Sequence, residues 1–570
     1  MSTLPTGPHT PLEAWPTRAQ LRPDEALEIA LRADPSEPVG ARVIDVDRVL
    51  AESTVPPGGT VTLIELPSTL RRAGLAIEVS DGSGGRATTA IDVAPHWSVA
   101  PRYGALSDFA PDETVAESAR RSVEFLRLHV NVVQFYDWMA SHHTFRAPTD
   151  DFIDPLGRAL SHAVVRRKVA LAQAAGAAAL AYGALYGAEA DFSRQHPDWL
   201  LYDGRGEPMT LAEIFHLQDF SARSPWRAWI VGQYEDALGA LGFDGIHIDQ
   251  YGFPKRARSR AGGSWREIDV AAEFPGFVEE AARRILALRP GGGAIFNCVN
   301  AWPLDAMPAV ASDAATYIEV WEPHVRYRDL YELVRRARTL RPQKAVILAA
   351  YLRPFDPDRA RSGGAMTAYR LAAATIGAAG GFHLISAEGD GLLSEAYYPR
   401  YGRLTADEAV VVRRYADFAV RNTTRLHDHG ATDIAWTHVG PTNDVITLAH
   451  PELGDYGAGA RYGSLWLVGR VAGRETVLQL VNLRGLTGDA WNAEQTVSPK
   501  PLDDLEVRVR VVGGVDGVWW DSPDDEVGLA RPVAFEVSNL ADGRYLIFKV
   551  PRIEVWTSVW WRETEAGEAA

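Results

Sequence analysis

The chain has 570 residues, more than one hydrophobic core usually serves, so two to four domains are expected. A hydrophobic fraction of 46% and a charged fraction of 23% are typical of a globular protein. The net charge of -16 argues against nucleic acid and anionic membranes as partners. The single cysteine, Cys298, excludes an intrachain disulfide and a cysteine-based metal cluster.

The beginning of the chain, MSTLPTGPHTPLEAWP, has neither the basic residues nor the apolar run of a secretion signal. A cytoplasmic location is therefore expected, or a secreted one if a leader has been trimmed. The most apolar run is ALAQAAGAAALAYGALYGA. Its alanines and glycines favour a buried helix that leads into a strand, and no membrane span is predicted.

Residues 1–97 are predicted to form an immunoglobulin-like β-sandwich. Short strand-like runs are separated by turn sequences such as PPGG and DGSGG, and this spacing is typical of the fold. The runs are ALEIALRA, ARVIDVDRVL, TVTLIEL, LAIEVSD and ATTAIDV.

Residues 98–425 are predicted to form a (β/α)8 TIM barrel, which makes the fold class α/β. Apolar strand-like runs alternate with helical segments such as DETVAESARRSVEFLRLH, which is the pattern of a parallel sheet. A doubly wound open sheet is the alternative. Its nucleotide-binding versions lack support, because neither G-x-G-x-x-G after the first strand nor G-x-x-x-x-G-K-[ST] occurs. The eight candidate strands are 102–109, 131–137, 177–187, 243–249, 294–300, 316–322, 345–352 and 381–388.

Residues 426–570 are rich in strand-like runs again. These runs alternate apolar and polar residues, or are apolar throughout, between turn sequences, so a second β-sandwich is predicted. The runs are SLWLVGRV, ETVLQLVNL, LEVRVRVV, GVWW, YLIFKV and VWTSVWW.

Polar and aromatic residues collect where the candidate strands of the barrel end. Active-site residues of barrels lie at the carboxyl ends of strands, and sugar hydrolases need two carboxyl groups with polar and aromatic side chains around them. A lone carboxylate is more often a helix cap or an ion-pair partner, but several at strand ends favour a catalytic site. The strand-end residues are Asp108, Tyr136, Asp137, Asp249, Gln250, Asn300, Glu319, Trp321, Glu322, Tyr351, Glu388 and Asp390.

The segment GFDGIHIDQYG has the highest density of candidates. Asp244 opens the strand and is predicted to be structural, whereas Asp249 closes it and points into the mouth of the barrel. His247 shares that inward face. One interpretation is that it hydrogen-bonds a sugar hydroxyl or Asp249. The other is that it is a core histidine whose hydrogen bonds are made within the protein. His142 and His143 follow the second strand. Adjacent residues rarely ligate one ion and no H-E-x-x-H is present, so substrate contacts are favoured over a metal site.

Several of these segments, in this order along the chain, resemble glycoside hydrolase family 66, the dextranases and cycloisomaltooligosaccharide glucanotransferases. FYDW followed by HH, and D-Q-x-G after the fourth strand, are fairly specific to that family, whereas Y-x-E-x-W is weaker by itself. The resemblance lies in PRYGALSDF, NVVQFYDWMASHH, GFDGIHIDQYG, FNCVNAW, YIEVWE and EGDGLLSEAYYPRY.

The resemblance implies a retaining hydrolase that cleaves α-1,6-linked glucan, either dextran or isomaltooligosaccharides, without a cofactor. Asp249 matches the family's nucleophile and Glu319 its general acid/base. The alternatives are a transglycosylase on the same site, an α-glycosidase of other linkage or sugar specificity, and a non-catalytic carbohydrate-binding protein. The expected partner is an oligosaccharide or polysaccharide, no metal site is predicted, and the oligomeric state is left open.

Alternation along the sixth strand favours Glu319 over Glu322 as the acid/base. Ile318 and Val320 are apolar and suit the face that packs on helices. Tyr317, Glu319 and Trp321 therefore face the interior of the barrel or its mouth. An aromatic neighbour can raise the pKa of the acid by excluding water. Glu322 falls where the strand gives way to a loop, so a hydroxyl-binding or surface role is predicted for it.

Overall fold

The computed structural model describes residues 12–32, 37–57, 61–440 and 443–564. Most of the N-terminal segment on which the location was predicted lies outside these residues. Among the described residues, no helix has both the length and the apolar character needed to cross a membrane.

The N-terminal strands form two antiparallel sheets, of three and four strands, with one apolar core that buries residues such as Leu75 and Ile91 completely. The run ARVIDVDRVL, predicted as one strand, forms a hairpin instead. The chain turns at Val46, which takes a positive φ of 61°. The strands are Glu13–Pro16, Leu27–Arg32, Val39–Asp45, Arg48–Val55, Val61–Ile64, Ala73–Asp81 and Arg86–Val93.

A curled sheet of eleven strands forms the centre of the molecule, and its parallel strands lie in chain order. The eighth parallel segment has two parts, since Phe382–Leu384 pairs with the seventh strand and Ser386–Ala387 with the first. A doubly wound sheet would reverse its order at a switch point, so that alternative is not supported. The first seven strands are Tyr103–Leu106, Val132–Phe135, Ala178–Ala184, Gly245–Asp249, Gly293–Val299, Ala315–Glu319 and Val346–Ala349.

Two antiparallel strands, Gly391–Leu393 and Tyr401–Arg403, extend the curled sheet beyond its parallel part. Loops at the carboxyl ends of the second, third and fourth strands carry small antiparallel sheets of their own. The strands of these loops are Asp151–Ile153, Ala159–Ser161, Gly187–Glu189, Leu201–Tyr202, Thr210–Leu211, Phe215–Leu217, Arg256–Ser259 and Arg266–Asp269.

Helices connect most of the parallel strands. Thr114 begins the first helix with a capping box that includes Glu117, and Gly242 and Gly380, both left-handed, end two others. A 3-10 helix, Leu304–Ala309, follows the fifth strand in place of an α-helix. The α-helices are Val115–Arg127, His162–Ala174, Ala190–Gln195, Pro225–Leu241, Val270–Leu288, Tyr327–Leu340, Gly363–Ala379, Ala406–Arg421, Thr423–Leu426 and Ala435–His438.

The C-terminal strands form one sheet of seven strands and one of four around a separate apolar core. A buried ion pair joins this region to the last long helix, because both nitrogens of the Arg421 fork bond to Asp521 at 2.7 and 2.8 Å. The strands are Thr432–Asp433, Ile446–Ala449, Tyr456–Gly457, Leu465–Ala472, Glu475–Asn482, Leu502–Arg510, Val515–Asp521, Arg531–Pro532, Phe535–Leu540, Gly543–Ile553 and Trp556–Glu563.

Candidate active site

The fourth and sixth parallel strands end at Asp249 and Glu319, and the fifth strand, which lies between them, contributes Asn297. The Asn297 Nδ2 atom lies 2.7 Å from Asp249 Oδ1 and 3.0 Å from Glu319 Oε2, so this amide donates a hydrogen bond to each carboxylate. Because one nitrogen contacts both oxygens, those two oxygens lie within about 6 Å of each other.

Tyrosine hydroxyls bind the two remaining carboxylate oxygens. Tyr182 donates to Asp249 Oδ2 at 2.9 Å, and Tyr351 donates to Glu319 Oε1 at 2.9 Å. The Tyr398 hydroxyl lies 3.0 Å from that of Tyr351. All four oxygens of the pair are therefore held in place by neutral donors.

Burial raises the pKa of both carboxyl groups. For Asp249, burial and then the charge of Glu319 raise the pKa to about 7, against the opposing hydrogen bonds from Asn297 and Tyr182. For Glu319, burial raises the pKa, and the hydrogen bonds from Asn297 and Tyr351 oppose the rise. Two close carboxylates resist ionising together, which favours a state in which the pair holds one proton between them.

His247 lines the same cavity two residues before Asp249. Its Nδ1 atom lies 3.0 Å from the Tyr103 hydroxyl, and its ring stacks on Tyr182. Burial lowers the pKa of His247 to about 3, so the ring is neutral. The residue thus has the hydrogen-bond partner expected of a core histidine while it also borders the space around the carboxylates. Asp244 lies at the opposite end of the strand and accepts the Ala179 N–H, in agreement with its predicted structural role.

A cavity of about 350 Å³ surrounds the two carboxylates. The Gln250 amide is occupied by the backbone oxygens of Asn297 and Trp302, at 3.1 and 3.2 Å, so its main contacts are structural. The ring of Tyr136 packs 4.5 Å from that of Tyr398. Tyr317 and Glu319 on the sixth strand and Trp321 just beyond it all line the cavity, in agreement with the predicted alternation. The predicted site residues that line it are Tyr136, Asp137, His142, His247, Asp249, Gln250, Glu319, Trp321 and Tyr351.

Glu388 and Asp108 lie outside this cavity, in contrast to their predicted contact with substrate. Glu388 is buried and accepts hydrogen bonds from Lys168 at 2.9 Å and Arg121 at 3.0 Å, and also from the backbone N–H of Asp108. Asp108 Oδ2 accepts from the same Arg121 at 2.8 Å. Both carboxylates belong to an ion-pair network that joins the end of the first strand to the neighbouring helices.

Asp390 and His143 also lie outside the cavity. Asp390 forms an ion pair with Arg413 at 3.0 Å. The His143 ring binds Glu189, whereas the neighbouring His142 ring faces the cavity, so the two histidines point to different places and do not form one metal site. Among the described residues, no group of three or more His, Cys, Asp and Glu side chains is arranged to hold a metal ion.

Asn300 and Glu322 shape a loop beside the cavity instead of lining it. Asn300 Nδ2 donates to the backbone oxygen of Glu322 at 2.7 Å, and Asn300 takes a positive φ of 52° at the turn after the fifth strand. Glu322 is exposed. Asn300 is predicted as the last residue of the fifth strand, but the strand ends at Val299, and the residue that reaches the carboxylates is Asn297.

Several cavity residues were not predicted. Asn297 could have been found by alternation, since Ile295, Asn297 and Val299 share one strand face and an amide is unusual in such an apolar strand. Tyr398 comes from the loop after the eighth segment, and no local pattern indicates its position. The unpredicted lining residues are Gln134, Leu156, Tyr182, Leu211, Phe215, Tyr251, Asn297, Val299, Ala396 and Tyr398.

Comparison with known proteins agrees with this geometry. The family model described as Glycosyl hydrolase family 66 matches residues 64–560. A cycloisomaltooligosaccharide glucanotransferase of Niallia circulans is 32% identical over an alignment of 299 positions that covers 49% of this chain and 31% of that protein. The dextranase of Streptococcus salivarius is 23% identical over an alignment of 572 positions that covers 86% of this chain and 67% of that protein. The match therefore spans about a third of the Niallia enzyme.

The fold resembles that of a Paenibacillus cycloisomaltooligosaccharide glucanotransferase solved with cycloisomaltoheptaose. The TM-score is 0.85 at 20% identity, with 96% of this chain and 99% of that one covered. The family match places the chain in the glycosyl hydrolase class of families. More particularly, the chain belongs to glycosyl hydrolase family 66, which confirms the resemblance inferred from its sequence.

Proposed function

We propose that the protein is a retaining glycoside hydrolase of α-1,6-linked glucan, with Asp249 as nucleophile and Glu319 as general acid/base. The observation that carries this proposal is the Asn297 amide, whose single nitrogen bonds to both carboxylates at 2.7 and 3.0 Å. Retaining enzymes keep their two carboxyl groups about 5–5.5 Å apart, and inverting enzymes about 6.5–9.5 Å apart to admit water. A separation within about 6 Å favours retention.

The reaction proceeds in two displacements. Asp249 attacks the anomeric carbon while Glu319 gives its proton to the glycosidic oxygen, so the bond to the leaving sugar breaks as the bond to Asp249 forms. Glu319, now a carboxylate, takes a proton from water, and that water oxygen displaces Asp249 from the same carbon. Each displacement inverts the carbon once, and the product keeps the starting configuration.

The α-1,6 linkage is proposed from the relatives, which are a dextranase and cycloisomaltooligosaccharide glucanotransferases. The cavity offers features suited to a sugar, since aromatic faces such as those of Tyr136 and Trp321 can stack on rings and the His142 imidazole can bind hydroxyls. An α-glycosidase of other linkage or sugar specificity remains the alternative for the substrate. A non-catalytic binding protein would not need two carboxylates held by one amide.

Transglycosylation on the same site is the second candidate, and the glucanotransferase relatives favour it. The first displacement is identical, and a sugar hydroxyl then replaces water in the second. Hydrolysis and transfer differ only in which acceptor reaches the intermediate. Product analysis at high substrate concentration separates them, because transfer yields oligosaccharides longer than the substrate.

The test of the proposed function is incubation with dextran, isomaltooligosaccharides and maltooligosaccharides, followed by proton NMR of the first products. Cleavage of the α-1,6-linked substrates with initial release of the α-anomer is expected. Initial release of the β-anomer would contradict retention, and cleavage of maltooligosaccharides alone would contradict the linkage.

The finer architecture and the location also belong to this proposal. We interpret the curled sheet as a (β/α)8 barrel flanked by two β-sandwiches, because its eighth segment pairs with both the seventh and the first strand. We further propose a cytoplasmic enzyme that prefers short oligosaccharides. Cell fractionation that finds the mature protein outside the cell would contradict the proposed location. Faster turnover of dextran than of short chains would contradict the proposed substrate preference.

A further inference from the structure

Four basic residues form a cluster at the edge of the curled sheet opposite the two carboxylates. Arg72 directly precedes an N-terminal strand, Arg338 lies in the last turn of the helix before the seventh strand, and Arg470 lies on a C-terminal strand. His429 completes this basic cluster. Gly380, which contacts both Arg338 and Arg470, comes two residues before the eighth parallel segment. The cluster therefore lies where parallel strands begin, away from the catalytic cavity at their carboxyl ends.

The three arginines meet at one short segment of backbone. Arg470, Arg72 and Arg338 donate to the backbone oxygens of residues 426, 427 and 428, at 2.7, 3.0 and 2.6 Å in that order. His429 is the next residue, and its buried Nδ1 atom has no hydrogen-bond partner among the described residues. Burial and the charges of Arg338 and Arg72 lower the pKa of His429, so its ring lies close to both guanidinium groups.

Arg338 and Arg470 are held close together despite their like charge. A Cβ atom added to Gly380 would lie 3.0 Å from Arg338 Nη1 and 2.6 Å from Arg470 Nη1, so those nitrogens are within about 6 Å of each other. Burial and the charge of Arg338 lower the pKa of Arg470 to about 10. Burial also lowers the pKa of Arg338, and the charge of Arg72 adds to that fall. Positive charge is thus concentrated at this point.

No carboxylate in the described part of the chain forms an ion pair with these three arginines. Arg336 and Arg341, from the same stretch of chain as Arg338, each have a carboxylate partner. Asp428 and Asp433 oppose the fall in the pKa of Arg338 without pairing with it. The Asp433 oxygens accept from a tyrosine hydroxyl and a backbone N–H instead. An anion between the guanidinium groups would remove their repulsion and accept their remaining N–H groups.

We propose that the basic cluster binds a small tetrahedral oxyanion of the phosphate type. Arg72, Arg338 and His429 are half-buried, so the anion reaches them from solvent, whereas Arg470 is almost fully buried and supplies charge from below. The planar fork of arginine matches the geometry of phosphate oxygens. Because the arginines come from the N-terminal, central and C-terminal regions, an anion bound here stabilises their assembly by mass action. The inference does not depend on the proposed function.

The test measures the binding of inorganic phosphate and of glucose 6-phosphate to the whole chain by isothermal titration calorimetry at constant ionic strength. A Kd below about 1 mM is expected, and Arg338→Gln should weaken binding about tenfold or more. Saturating phosphate should raise the Tm of the unsubstituted protein by about 2 °C or more and that of the variant far less. Tighter binding of glucose 6-phosphate would indicate a phosphorylated sugar as the ligand, and equal binding would indicate the free anion; either result supports the site.

The matched control is Arg336→Gln, two residues away on the same helix, which removes an exposed pair with Asp305. It should bind phosphate as the unsubstituted protein does. If Arg338→Gln does not fold, Arg72→Gln provides the same comparison from a half-buried position of the N-terminal region. Failure of the unsubstituted protein to bind phosphate would overturn the inference, and so would equal binding by the cluster variant. Neither result bears on the proposed function, which turnover of α-1,6-linked substrates tests separately.

Discussion

Asp249 and Glu319 have different tasks in the proposed mechanism, so their replacement should produce different defects. The change Asp249→Ala should lower kcat by about 10,000-fold or more without loss of folding, because no neighbouring group can form the covalent intermediate. Added azide should enter the space left by Asp249 and restore cleavage in part, with a product of the opposite anomeric configuration. Activity of the variant close to that of the unsubstituted protein would remove Asp249 from the mechanism.

The acid role of Glu319 is tested against Glu322, which is exposed and three residues away. The change Glu319→Gln should lower kcat/KM about 100-fold or more for a saccharide leaving group and far less for an activated one, since a good leaving group needs no proton. The change Glu322→Gln serves as the matched control and should affect both substrates little. If the selective loss follows Glu322 instead, the assignment is wrong.

The carboxyl pair predicts a bell-shaped dependence of kcat/KM on pH. Below the lower pKa of the pair both groups carry protons and the nucleophile is lost. Above the upper pKa of the pair both groups are ionised and the acid is lost. Burial raises the pKa of Glu319 and, together with the charge of Glu319, that of Asp249. Activity should therefore persist to a higher pH than an ordinary glutamic acid would allow and then fall as pH rises further. A profile that stays flat from pH 6 to pH 9 would contradict the shared proton.

At the scale of elements, the network around Glu388 is expected to maintain the first strand and its helices instead of binding substrate. Glu388→Ala should lower the free energy of unfolding by about 3 kcal/mol, because it leaves buried Lys168 and Arg121 without that partner. KM should change little. The matched change Asp390→Ala removes a more exposed pair and should cost under about 1 kcal/mol. A large rise in KM for Glu388→Ala would instead support the predicted contact between Glu388 and the substrate.

Element positions in the parallel sheet follow the apolar runs of the sequence closely. The predicted strand 243–249 is observed as Gly245–Asp249, and the predicted 316–322 as Ala315–Glu319. The main difference is the eighth run, which divides at Ile385 because its two halves pair with different neighbours. The domain boundaries expected after residues 97 and 425 stay predictions, which limited proteolysis would test.

At the scale of the whole molecule, the Arg421–Asp521 pair ties the C-terminal region to the last long helix. Both side chains are almost fully buried, and Asn422 also donates to Asp521 at 2.6 Å. Asp521→Ala should therefore lower the free energy of unfolding by about 3–5 kcal/mol, because a buried guanidinium loses its charge partner. Thermal unfolding measures the loss.

The matched control is Asp516→Ala, which removes a partly exposed pair with Arg474. Such surface pairs contribute about 0–1 kcal/mol to stability, so the free energy of unfolding of this variant should be close to that of the unsubstituted protein. Equal losses in the two variants would contradict a special role for the buried pair.

The sequence by itself determined the order of the elements, the family and the two carboxylates. Each of these depends on local patterns: apolar runs set the strands, and Asp249 and Glu319 close two of them. Alternation also placed Glu319 on the inward face, because side-chain direction in a strand depends only on residue parity.

Only the tertiary structure decided which strand-end residues meet. Asn297 reaches both carboxylates because neighbouring parallel strands are staggered, and Tyr398 joins them from a loop about 80 residues beyond Glu319. Glu388 has the same local pattern as a catalytic acid, yet Lys168 and Arg121 hold its carboxylate outside the cavity. A side chain's partners depend on the pairing and packing of distant segments, and a local pattern does not contain that information.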